Sequence, residues 1–187
     1  NFHAVGFDID NSKIKALMNG NSYVSHIEDS ELLATINKKT FIPTSDFARI
    51  NEVDVIIICV PTPLNENQEP DLSYIISTGE LIRPHLKTNQ LIILESTTYP
   101  GTSSEILKPI LQECDLEFSK DLFLAYSPER EDPGNPKYKT ANIPKVVGGD
   151  CTKACELACA LYDQIVVETV SVSSMEVAEA VKLTENI

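Results

Sequence analysis

An α/β domain built on a doubly wound parallel sheet is the fold this sequence predicts, and two observations carry the prediction. Short β-branched runs recur at 3–8, 53–60, 90–95, 121–126, 143–148 and 165–169, several of them apolar at consecutive positions. Strands covered on both faces of a parallel sheet read that way. Amphipathic segments fall between these runs, and strand alternating with helix is the pattern of βαβ units.

The first run, "HAVGFDID" at 3–10, reads as a strand ending on an acid, with Asp10 placed to cap a helix that starts near Ser12. In a dinucleotide-binding βαβ unit such an acid holds the adenosine ribose and follows a G-x-G-x-x-G turn by roughly 20 positions. Only seven residues precede Asp8. Either the strand reading is wrong or the glycine loop lies upstream of residue 1. On the functional reading, the Asp8 carboxylate accepts from the ribose hydroxyls and favours NAD over NADP, whose 2′-phosphate it repels. Lys13, one turn on, is in reach of the same ribose or phosphate edge, and equally suits a solvated surface.

Further along, residues 72–86 place Ile75, Ile76, Leu81 and Ile82 at helical spacing. After Pro100, Thr102-x-x-Glu105 reads as a capping box ahead of Ile106, Leu107, Ile110 and Leu111. The segment 173–187 puts Val177, Ala180 and Val181 on one helical stripe. Two turn-rich stretches, "PTPLNENQEPD" at 61–71 and "SPEREDPGNPK" at 127–137, begin where strands are expected to end. Ligands of open α/β sheets bind outside the carboxyl ends of the strands, so chemistry is expected at these two loops.

Composition narrows the function classes. A net charge of -13 argues against a nucleic-acid surface, which needs clustered Lys and Arg. It leaves room for an anionic cofactor held by backbone N–H groups at a helix N-terminus. The longest apolar run, at 53–60, is far short of the roughly 20 residues that span a bilayer, so no membrane partner is expected. Five dispersed cysteines do not form a secreted disulfide framework, and a reducing cytoplasm is the expected compartment. Cys151, Cys155 and Cys159 recur every four residues, which suits a buried helical stripe with Ala154, Ala158 and Leu161; no ligand set completes a metal site.

Seven motifs occur in one order: "VGFDID" (5–10), "VDVIIICVPTP" (53–63), "PDLSYI" (70–75), "ESTTYPGT" (95–102), "AYSPEREDPGN" (125–135), "KVVGG" (145–149) and "AEAVKLTEN" (178–186). The series resembles the UDP-glucose/GDP-mannose dehydrogenase family over essentially the whole chain. Within it, "SYVSHI" (22–27) and the 127–135 loop look most like members acting on UDP-N-acetylhexosamines, UDP-N-acetylglucosamine in particular. The resemblance implies an NAD-dependent oxidation of a nucleotide sugar's C6 alcohol to the acid, through an aldehyde, a thiohemiacetal and a thioester, for surface polysaccharide synthesis. It implies a partial Rossmann-like NAD-binding domain at 1–170, its first strand and glycine turn upstream of residue 1, and the start of a central dimerisation helix at 171–187. A homodimer or higher homo-oligomer is expected.

Carried over by position, the resemblance gives Asp8, Lys13, Thr62 and Thr97 to the cofactor. Thr97 and Glu129 position a water for base and hydrolysis work. Lys182 and Asn186, at i and i+4, stabilise the alkoxide and oxyanion. Glu129, Arg130, Lys182 and Asn186 face the substrate. The family's nucleophilic cysteine matches none of Cys151, Cys155 or Cys159, so these 187 residues alone are expected not to complete the oxidation. UDP-glucose, UDP-N-acetylmannosamine and GDP-mannose are alternative substrates. A non-catalytic nucleotide-binding module and a β-hydroxyacid dehydrogenase are the other readings; the first has no need of Thr97, Glu129, Lys182 and Asn186 together, and the second lacks the 127–135 loop.

Overall fold

The computed structural model describes residues 2–24, 27–66, 69–129 and 143–185. Two units make up the chain, Asn1–Arg49 and Ile50–Ile187.

In the first unit, β1 (Ala4–Phe7) pairs in parallel with β2 (Phe41–Thr44), Ala4 opposite Phe41 and Phe7 opposite Thr44. Two helices connect them, α1 (Asn11–Met18) and α2 (Asp29–Asn37). Ile14 of α1 and Leu32 of α2 are buried, and the Phe7 and Phe47 rings lie 5.5 Å apart. Asp10 caps α1 as expected, its Oδ1 accepting from the Ser12 N–H at 2.8 Å. Neither α2 nor β2 was expected. Pro43 sits in the middle of "FIPT" and removes a ladder donor, which hides β2 from a pattern search.

The second unit carries a five-stranded sheet in the order β3 (Val55–Ile58), β4 (Gln90–Leu94), β5 (Leu122–Tyr126), β6 (Lys145–Gly149), β7 (Thr169–Ser171). Four of the expected runs form β3 to β6, and the α/β class holds. The all-parallel expectation fails at one place: β6 runs antiparallel to β5, Ala125 opposite Gly149 and Tyr126 opposite Gly148. The turn-rich sequence that follows β5 carries no helical pattern of the kind a parallel crossover uses. The strand expected at 165–169 is shifted to Thr169–Ser171, because the Ile165 and Val166 amides donate to Tyr162 O and close the preceding helix.

Alternation along the strands sorts the two faces. Leu91, Ile93, Phe123, Ala125 and Val147 form one core with Ala154, Ala158 and Tyr162 of α5 (Thr152–Tyr162), and Cys151, Cys155, Cys159 and Leu161 pack half-buried at its margin. Those cysteines therefore behave as small apolar residues. Among the described residues, no group of three His, Cys, Asp or Glu could hold a metal ion. The alternate residues Ile92, Leu94, Leu124 and Tyr126 are fully buried on the other face. There β5 meets a π-helical turn (Thr102–Leu107), which runs into α4 (Lys108–Gln112), and also meets α6 (Met175–Glu185). α3 (Ser73–Ile82) packs against α4 and the π-helical turn.

Two expectations about the helices are corrected. Thr102 does not cap its helix: its hydroxyl donates to Tyr99 O at 2.8 Å, and Gly101 stands at the cap with φ 99°. Nor is the stripe of α6 Val177, Ala180 and Val181. Met175, Ala178 and Glu179 are the buried residues there, and Val177 is exposed. Among the described residues no helix is long and apolar enough to cross a membrane.

Candidate active site

On the α5 side of the sheet, the apolar rows give way to polar residues at the strand ends. One row runs Val55, Ile57, Cys59 along and past β3; the next runs Leu91, Ile93, Glu95 along and past β4. β5 continues to Ser127 and Glu129, and β6 opens with Lys145. Five polar side chains thus converge at the carboxyl ends of the parallel strands, where doubly wound folds place their ligands.

At the centre is Lys145, with a side chain 6% exposed. Its Nζ lies 3.0 Å from Glu95 Oε1 and 3.3 Å from Glu129 Oε2, and 4.9 Å above the Tyr162 ring centroid. The Tyr162 hydroxyl, at the end of α5, donates to the same Glu95 oxygen. Burial, followed by the Glu95 charge, raises the Tyr162 phenol far above its usual range, so it stays a donor. Cys59 Sγ donates to the other Glu95 oxygen at 3.7 Å. Cys59 is exposed as a residue, yet its thiol is crowded by protein atoms; desolvation first and Glu95 second push it up to about 12. A thiol held protonated is no nucleophile at neutral pH.

α6 approaches from the far side. Lys182 Nζ donates to the backbone carbonyl of Glu129 at 2.7 Å, joining residues 53 apart in the sequence. One turn earlier on α6, Glu179 is fully buried, and both carboxylate oxygens accept: from Gly101 N at 2.6 Å, and from Ser103 N and Ser103 Oγ at 2.9 and 2.7 Å. Glu179 therefore fixes α6 to the turn that follows the Thr97 segment. The loops after β3 and β4 are tied as well, the Thr62 hydroxyl donating to Thr97 O at 2.7 Å.

The structure thus brings Thr62 to Thr97, and Glu129 to Lys182. In the first unit Asp8 follows β1 directly, its Oδ1 accepting from Asp10 N at 2.8 Å and its Oδ2 paired with Lys13 at 3.2 Å. The Asp8 carboxylate holds the exposed Lys13 ammonium above its usual range. Arg130 and Asn186 lie outside the described residues. Sequence reasoning missed Glu95, Lys145 and Tyr162. The available signal was a lone charge in an otherwise apolar run, at the end of "QLIILE" and within "IPKVVG".

A doubly wound α/β domain with its charged groups gathered at the strand ends defines a ligand-binding domain of the nucleotide-binding class. The profile of the UDP-glucose/GDP-mannose dehydrogenase family, NAD binding domain, matches residues 1–166. A UDP-N-acetyl-D-glucosamine 6-dehydrogenase of Pseudomonas aeruginosa is 36% identical over 184 residues, which is 97% of this chain and 43% of that protein. A UDP-N-acetyl-D-mannosamine dehydrogenase of Methanococcus maripaludis is 32% identical over 99% of this chain and 42% of that protein. Among solved structures, a UDP-D-ManNAc dehydrogenase of Pyrococcus horikoshii superposes with a TM-score of 0.89 at 30% identity, covering 100% of this chain and 44% of that one. The chain belongs to the UDP-glucose/GDP-mannose dehydrogenase family, whose NAD-binding domain it carries. It spans less than half the length of these relatives.

Proposed function

We propose that this chain is the cofactor-binding part of a cytoplasmic, NAD-dependent nucleotide-sugar 6-dehydrogenase that oxidises the C6 alcohol of UDP-N-acetylglucosamine, or of a related UDP sugar, to the acid. The protein would work as a homodimer or higher homo-oligomer and supply surface polysaccharide synthesis. One observation carries the reading: Lys182 and Glu129, each given a catalytic part by the sequence resemblance, are in contact at the carboxyl edge of the sheet.

The residues present fit NAD. A carboxylate has about four acceptor sites, and local donors take one on each Asp8 oxygen, leaving room for a ribose diol. Thr62 and Thr97, joined by the Thr62 hydroxyl's hydrogen bond to Thr97 O, would line the cofactor side of the strand ends. When bound, NAD accepts the hydride that leaves the sugar carbon. The chain's own residues do the rest. Glu129, with its side chain 42% exposed, faces outward to take a proton through a water, with the exposed Thr97 hydroxyl helping to orient that water. Lys182 keeps two ammonium donors beyond the one spent on Glu129 O, for the oxygen that gains charge. Asn186, paired with Lys182 by the sequence resemblance, would share that role. The thiol required for the thioester step is not assigned to any of the five cysteines, three of which line the α5 core and one of which is held protonated.

Calorimetric titration of the natural full-length protein with NAD+ and NADP+ tests the reading, beside NADH formation with UDP-N-acetylglucosamine, UDP-N-acetylmannosamine and UDP-glucose. NAD+ is expected to bind in preference to NADP+, with two NADH formed per acid. Asp8→Ala should weaken NAD+ by about ten- to a hundredfold, the effect of losing hydrogen bonds to a charged group. Equal binding of both cofactors, unchanged by Asp8→Ala, would defeat the assignment.

A further inference from the structure

Lys145 is not explained by packing. An ammonium buried to 6% is costly unless paired, and an apolar residue at the start of an otherwise apolar strand would fill the place more simply. Glu95, itself 10% exposed, already neutralises it, and the Tyr162 hydroxyl holds Glu95 from beneath. A second carboxylate is therefore surplus to the needs of the buried pair. Yet Glu129 brings one, at 3.3 Å and four times more exposed than Glu95.

We propose that Lys145 is a positioning residue for Glu129: anchored below by Glu95 and by the face of Tyr162, its ammonium fixes the outward-facing Glu129 carboxylate for its work on the substrate. An ammonium has three donors. One goes to Glu129 Oε2, the cation is ion-paired with Glu95 Oε1 at 3.0 Å, and it rests over the Tyr162 ring. Glu129 is gripped from two sides, its carboxylate by Lys145 and its backbone carbonyl by Lys182. Among the described residues, the charged and titratable groups facing Lys145 are Glu95 after β4, Glu129 after β5 and Tyr162 on α5, with Cys59 touching it through Glu95. In this arrangement the buried pair Glu95–Lys145 is a platform and Glu129 is what stands on it. What Glu129 does there rests on the dehydrogenase reading; what holds it there does not.

The test is the ammonium resonance of Lys145 in the natural full-length protein labelled with 15N-lysine, assigned by its loss in Lys145→Arg. A slowly exchanging signal is expected that moves in Glu95→Gln and also in Glu129→Gln. In turnover, Lys145→Met should lower kcat by about a hundredfold, the cost of ångström-scale misplacement, with the KM for the sugar nearly unchanged and Lys145→Arg restoring most of the rate. A resonance that responds to Glu95→Gln but ignores Glu129→Gln overturns the proposal and leaves Lys145 as the partner of Glu95 alone. If Lys145→Met fails to fold, the two glutamine variants still decide, since both keep the lysine. Absence of any dehydrogenase turnover would count against the function proposed above, while the resonance would still report on Lys145 and Glu129.

Discussion

Glu179 is a carboxylate with no water around it, and three protein donors take water's place. Glutamine would present an NH2 group to one of the two backbone N–H groups, leaving a buried donor unmatched. Glu179→Gln should lower stability at neutral pH by about 1–3 kcal/mol, read as a fall in the urea midpoint at constant slope. Burial outweighs the donors and raises this carboxyl above its ordinary 4.5. The folded chain therefore holds that proton more tightly than the unfolded one. The proton-linked part of its contribution is complete below 4.5 and is lost as pH rises through the folded value, while the accepted hydrogen bonds remain. The stability gap between wild type and Glu179→Gln should accordingly narrow as pH rises above 4.5; a gap that widens would contradict it. None of this was legible in the sequence. Glu179's partners, Gly101 and Ser103, lie more than 70 residues away, and no local pattern encodes them. Lys182 and Glu129 were legible only through the motifs that resemble the family, and Lys145 and Glu95 stayed hidden inside apolar runs.

At the level of elements, a strand is readable when its burial shows in its composition. β4 and β5 are buried at every position, and both were found from apolar runs alone. β2 carries a proline, and three-residue β7 follows an apolar stretch that belongs to the end of α5, so both escaped or slipped. The paired glycines of "KVVGG" have a reason that only packing reveals. A Cβ on Gly148 would lie 2.2 Å from the Ser174 carbonyl oxygen, and one on Gly149 would lie 2.5 Å from Cys155 N. The starts of α6 and α5 press directly on the last residues of β6. Gly148→Ala should therefore destabilise the fold by about 1–3 kcal/mol, since backbone must move to admit the methyl group. A thermal midpoint equal to wild type would show that α6 gives way without cost.

Across the whole molecule, 28 acidic residues face 15 basic ones, and the net charge of -13 works against the compact state. The buried ion pair Lys145–Glu95 is shielded from salt, whereas the surface repulsion is open to it. Raising sodium chloride from about 10 mM to about 150 mM shortens the screening length from about 30 Å to about 8 Å. The unfolding temperature should then rise by about 2–4 °C, equivalent to ~1 kcal/mol for a chain of this size. A fall would mean that exposed ion pairs such as Lys120–Glu117 and Lys13–Asp8 outweigh the repulsion.

Because β6 runs antiparallel to β5, the residue that opens one strand stands beside the chain that leaves the other. Glu129 and Lys145 stand on opposite banks of the same return, each pinned by a strand whose neighbours are already fixed. The pairing of the two strands sets the distance between these side chains.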